Sequence, residues 1–149
     1  MQNGNGIKVN HGTMETGLKL LVIEQNNTLR EKIAGMLSRL DAVEAVCQIR
    51  DLNHLDQVLN DFHAHVVLLD MAQALEHEDV VRSSLNHSRT HLVIMTEDST
   101  ARYEASGAAA RINAAQAVQK SHIASEIDSI LSRAAARLRG DVSPQHAES

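Results

Sequence analysis

The chain has 149 residues, with 14 lysines and arginines against 19 aspartates and glutamates, for a formal net charge of −5. That balance argues against a general nucleic-acid binder, and the two aromatics, Phe62 and Tyr103, cannot build a base-stacking platform. A single cysteine, Cys47, excludes an intrachain disulfide and fits a reducing cytoplasm, and no apolar run is long enough to span a bilayer.

The opening residues, 1–17, are polar and rich in Gly and Asn, with no apolar stretch of a signal peptide, and read as a disordered arm. Leu18 to Ile23 (LKLLVI) reads as a first strand. Leu29, Ile33, Met36, Leu37 and Leu40 then recur at helical spacing, with Asn27 or Thr28 placed to cap that helix. Val43 to Ile49 is a second strand, and Leu52, Leu55, Val58, Leu59 and Phe62 repeat the helical face. His65 to Leu69 is a continuous apolar run ending in Asp70, the pattern of a parallel strand buried on both faces. Val80, Val81 and Leu85 suggest a third helix, and His91 to Met95 a fourth strand that ends at Thr96. Residues 98–105 read as a short helix stopped by Gly107, and Ala108 to Asn113 as a fifth strand. Ile123, Ile127, Ile130, Leu131, Ala134 and Leu138 form a long last helix ended by Gly140.

Strands alternating with helices imply right-handed βαβ crossovers and a parallel sheet covered on both faces. The expected fold is therefore a doubly wound, five-stranded α/β sandwich of the flavodoxin-like kind, spanning residues 18–140, with a loose polar tail over 141–149. The lone proline, Pro144, lies in that tail, so no Pro-rich linker is visible. A stand-alone, non-enzymatic cytoplasmic module without a DNA-binding output domain is expected.

In such a sheet, ligands bind beyond the carboxyl ends of the strands, at the point where the strand order reverses. Three strand ends converge there: Glu24-Gln25, Asp70 and Thr96. A carboxylate pair plus a hydroxyl at that point suits a hard divalent cation such as magnesium and a phosphoryl group. Asp70 has the chemistry of a nucleophile toward a phosphoryl donor, and Thr96 can hydrogen-bond a phosphoryl oxygen.

The segments LLVIEQNNTLREKIAGML, HVVLLDM, HLVIMT and ASGAAARI resemble the receiver domain of two-component response regulators, over about residues 18–139. The resemblance implies that Asp70 is the phosphoacceptor, Glu24 the first acidic magnesium ligand, Thr96 the switch hydroxyl, and the backbone carbonyl of Ala72 a metal ligand. It also implies a histidine kinase or downstream signalling protein as partner, and a homodimer through the last helix. The departures point to an atypical, degenerate receiver. Gln25 replaces the second acid, which weakens magnesium binding by ~1–2 kcal/mol, roughly tenfold. Ala114 falls at the position of the family's lysine, and Arg111 where an aromatic switch residue is common. Glu97 replaces a small residue and would crowd and repel a phosphoryl group. The proline of the usual Met-x-x-Pro pattern is absent from Met71-Ala72-Gln73-Ala74.

The leading expectation is thus a receiver-class module that signals through protein contacts, with weakened or absent magnesium-dependent phosphorylation. A conventional phosphoacceptor modified on Asp70 is the alternative, and a small flavodoxin-like ligand-binding protein the second alternative. The plainer readings are a strand-end cap for Asp70, a solvated acid for Glu24 and a loop-satisfying hydroxyl for Thr96. His63 and His65 have the spacing of a metal pair but sit at the wrong end of their strand, and His87 and His91 read as surface groups. Cys47 reads as a small core hydrophobe. Arg133, Arg137 and Arg139 read as a basic helix end rather than a nucleic-acid patch.

Overall fold

The computed structural model describes residues 17–85 and 90–140. The expected arm (but for Gly17), the tail over 141–149 and His87 lie outside the described residues.

Five strands form one parallel sheet: β1 (Leu18–Ile23), β2 (Val43–Ile49), β3 (Val66–Asp70), β4 (His91–Thr96) and β5 (Gln116–Gln119). Their order, β2-β1-β3-β4-β5, is the flavodoxin-like arrangement with its reversal between β1 and β3. The helices are α1 (Asn27–Ser38), α2 (Leu55–Phe62), α3 (Met71–Glu76), α4 (Glu78–Leu85), α5 (Arg102–Ile112) and α6 (Ile123–Arg139), with a 3₁₀ turn over Lys120–His122.

The period of two along each strand divides the core into two layers. Leu20, Val22, Val66, Leu68, Val93, Met95 and Val118 face α1 and α6, where Ile33, Leu37, Ile127, Ile130 and Leu131 cover them. Leu21, Ile23, Val67, Leu69, Leu92 and Ile94 face the other way, against Leu55, Ala74, Val81, Leu85, Ala108 and Ile112. All five residues of β3 are buried, as its unbroken apolar run requires. Half-buried Cys47 packs against the second layer, and burial pushes its thiol up from the ordinary value.

Several boundaries differ from the expected ones. The helix expected to stop at Gly107 begins later and runs through that glycine to Ile112, so Ala108 to Asn113 is not a strand. Ala108 and Ile112 are instead the core-facing positions of α5, four residues apart on one face. Asn113 ends the helix in the left-handed conformation, φ 60°, and β5 starts at Gln116. The helix expected around Val80, Val81 and Leu85 is α4, and a further short helix, α3, precedes it, the two separated by His77. The cap of α1 is Asn26, not Asn27 or Thr28: its Oδ1 accepts from the Leu29 N–H at 2.9 Å. Gly140 ends α6 at φ 77°, as its position suggested.

Candidate functional site

The parallel register brings the strand ends into one crevice. Ile23 pairs with Leu69, Asp70 with Met95, and Thr96 with Gln119. Glu24, Asp70 and Thr96 therefore lie at neighbouring strand ends, and all three are buried. The next residue after β5 is Lys120. Side chains alternate along β5, so Lys120 shares the face of Val118, and its long stem reaches back across the sheet.

The Lys120 ammonium is the centre of the site. Its Nζ lies 2.7 Å from Asp70 Oδ1, 2.9 Å from Glu24 Oε1 and 2.6 Å from Glu97 Oε2. The Lys120 side chain is 8% exposed. Burial alone would lower its pKa, but the Asp70, Glu97 and Glu24 carboxylates around it outweigh that and hold it above the ordinary 10.5. The contact to Glu24 Oε1 is an ion pair without aligned hydrogen-bond geometry.

The assignment of the lysine position to Ala114 is thus overturned. Ala114 packs beside the second core layer, and Lys120, six residues later, is the lysine whose ammonium meets Asp70. Gly107 and Ala108 lie inside α5, so the last strand and the residues that follow it come later in the sequence than expected. Arg111 lies on α5 and pairs with Glu78 of α4. Glu97 does not simply crowd the crevice: its carboxylate, 67% exposed, closes over Lys120 from the solvent side. The sequence did carry a signal for the correct register, because Asn113 is a residue that commonly ends helices in the left-handed conformation.

Both oxygens of Asp70 are engaged. Oδ1 faces Lys120, and Oδ2 accepts from the Gln73 N–H at 3.2 Å, so Asp70 also caps α3. Gln73 is buried and ties the crevice to β2 through Nε2, which donates to the Arg50 carbonyl at 2.9 Å. Glu24 Oε2 accepts from the Asn26 N–H at 3.1 Å, and Arg30 donates to the Glu24 carbonyl at 2.9 Å. Thr96 Oγ1 is 3.5 Å from the Val118 carbonyl, beyond the usual hydroxyl hydrogen-bond length.

Gln25 is exposed. Ala72 is in the first turn of α3. Among the described residues no three carboxylate, imidazole or thiol groups form a metal site. The ammonium is seated between Glu24 and Asp70. The histidine pair at the far end has ordinary structural roles: His63 ends α2 in the left-handed conformation, and His65 Nδ1 accepts from the Lys19 N–H at 2.9 Å. Burial, with help from Lys19 and against Glu44, lowers the His65 pKa.

The fold is that of receiver domains. A LuxR-family DNA-binding response regulator from Staphylococcus aureus superposes with a TM-score of 0.63 at 17% identity, covering 78% of this chain and 98% of that one. The isolated receiver domain of RcsB from Salmonella enterica serovar Typhimurium gives 0.63 at 14% identity, over 76% and 84% of the two chains. A response regulator from Thermotoga maritima gives 0.64 at 11% identity, over 78% and 99%. No protein-family model matches the sequence, and no curated relative matches it. The shared property is the fold, reached with few shared residues.

Proposed function

We propose that this chain is a signalling module of the receiver class in which Lys120 holds Asp70 in a charged latch, and which works through protein contacts with weakened magnesium-dependent phosphorylation. The observation that carries this reading is the Lys120 ammonium, buried and shared among Asp70, Glu24 and Glu97 at 2.6–2.9 Å. A phosphoryl acceptor needs a free carboxylate oxygen and a cation to draw in the donor. Here one oxygen of Asp70 is on Lys120 and the other caps α3. Entry of a phosphoryl group requires one of these contacts to open.

A conventional phosphoacceptor is the second reading, and one observation favours it. Lys120 and Thr96 stand beside Asp70, so the cation that offsets phosphoryl charge is present after all. The two readings separate on magnesium. We expect incubation with acetyl phosphate, followed by intact-mass measurement, to give slow modification that magnesium hardly accelerates. Asp70→Asn serves as the blank. Millimolar-or-better magnesium affinity with stoichiometric modification of Asp70 would establish the conventional phosphoacceptor instead.

The proposed partner is a protein, such as a histidine kinase or a downstream signalling component, and the proposed setting is cytoplasmic. No described helix is long and apolar enough to cross a membrane. Homodimerisation through α6 remains part of the proposal. Ala134 is buried in the core, which leaves half-buried Ala135 and Ala136 as the small residues open to a second copy.

A further inference from the structure

A groove of about 1000 Å³ runs over α1 toward the start of α6 and ends at the Asp70 crevice. Leu29, Ile33 and Met36 of α1 and Ile123 of α6 form its apolar floor. Its two ends differ in charge. Arg39, just past the last turn of α1, marks one end. Glu97, Asp98 and the buried Lys120 mark the other, with Glu31 on the rim nearby. Because α1 leads from the end of β1 back to the start of β2, the Arg39 end lies at the edge where the strands begin. The described chain enters the fold at that same edge. The Leu18 N–H donates to the Ala42 carbonyl at 2.8 Å, three residues past Arg39. A Cβ on Gly17 would stand 2.9 Å from Glu44 Cβ, so only a glycine lets the chain pass this close to the start of β2. Residues 1–16 therefore join the fold beside the Arg39 end of the groove.

We propose that residues 1–16 of this same chain are the occupant of the groove, docking along it from Arg39 to the mouth of the Asp70 crevice. Length allows it. The 12 residues of α1 span about 18 Å, and residues 8–16 reach roughly 30 Å when extended, enough to round the Arg39 end and follow the helix to its start. The order of charges matches. Glu15, two residues before Gly17, falls beside Arg39, and Lys8 falls where Glu31, Glu97 and Asp98 supply carboxylates. Ile7, Val9 and Met14 bring apolar side chains to the floor of Leu29, Ile33 and Met36. Ion pairs in an exposed groove are individually weak, but the tether makes docking intramolecular, with an effective concentration of about a millimolar. An arm so placed stands between any partner and the crevice. That consequence rests on the receiver reading, whereas the docking rests on the groove and the sequence that enters beside it.

The test is paramagnetic relaxation in the full chain, read by nuclear magnetic resonance. Cys47→Ala removes the native thiol, Asn10→Cys carries a nitroxide, and amide intensities are compared before and after the label is reduced. We expect the Met36, Ser99 and Ser121 amides to lose intensity, and those of α4, on the other face of the sheet, to keep it. Glu15→Arg should lower the ratio of docked to free arm about threefold or more, and adding Arg39→Glu should restore it. Unchanged amide shifts at Val22 and Leu68 show that each variant folds. The readout needs no phosphorylation of Asp70, so its failure strikes the docking and leaves the receiver reading standing. Intensity loss spread evenly over the surface, or the same loss in Glu15→Arg, would overturn the proposal. So would loss that appears only when spin-labelled and isotope-labelled chains are mixed, which would assign the groove to the arm of a second copy. Loss centred on Gln48 at the free edge of β2 would overturn it too, as strand addition to the sheet.

Discussion

Replacing Lys120 by methionine keeps the length and apolar stem of the side chain and removes only the ammonium. Three ion pairs are lost. The contact with Glu97, which is 67% exposed, contributes at most ~1 kcal/mol because water screens it. The contacts with Glu24 and Asp70 are different, since those carboxylates are 6% and 12% exposed at the side chain. Without the ammonium they remain as two buried like charges, a situation that costs ~3–5 kcal/mol. At ~2–4 °C per kcal/mol for a chain of this size, the midpoint should fall by roughly 10 °C at pH 7. The loss should shrink toward pH 4, where acid neutralises carboxylates. Thermal unfolding followed by circular dichroism at both pH values measures this. In Lys120→Met/Asp70→Asn the second substitution removes one of the stranded charges while keeping an oxygen to cap α3, so the double variant should be more stable than the sum of the two singles. A midpoint within ~2 °C of wild type at pH 7, or the same loss at both pH values, would refute the claim that the ammonium neutralises a buried carboxylate pair.

Glu97→Ala removes a solvent-screened charge worth ~1 kcal/mol from the mouth of the crevice, so modification of Asp70 by acetyl phosphate should speed up about fivefold, read by mass spectrometry over time. Lys120 is held charged above its ordinary 10.5, so its contribution is fully present below that pH and is lost as pH climbs past it; alkaline melts should show a stability decline from there that Lys120→Met lacks. Asn26→Ala removes the hydrogen bond to the Leu29 N–H at the start of α1 and should cost ~1 kcal/mol by urea denaturation, leaving the Asp70 crevice unchanged. Ile130→Ala empties a fully buried position between α6 and the sheet and should cost ~2–5 kcal/mol in the same assay.

What the sequence made legible follows from how strongly each segment is constrained. HVVLLDM must be buried on both faces, and its apolar run says so without neighbours. The strand ends at Glu24, Asp70 and Thr96 followed from that, because parallel strands finish at one edge. The region 97–120 was harder. β5 is only four residues, QAVQ, with one buried side chain, Val118, so its pattern carries almost no periodicity. The alanines of α5 serve a helix or a strand equally well by hydropathy, and Gly107 looks like a stop although the helix passes through it. A displaced strand then displaced the lysine with it. Pairing Lys120 with Asp70 is a long-range contact that only the register of β4 with β5 reveals.

The shortness of β5 has a consequence for motion. It is an edge strand, hydrogen-bonded to the sheet only through β4, and it runs directly into the turn that carries Lys120. Local opening is cheapest where a segment has few partners. The charges on Asp70, Glu24 and Glu97 therefore act as a clasp on that edge, from strands β1, β3 and β4 at once. Whatever neutralises or displaces those carboxylates loosens the edge, and whatever steadies the edge tightens the clasp. Amide exchange at Val118 should consequently report the state of Asp70 from two strands away.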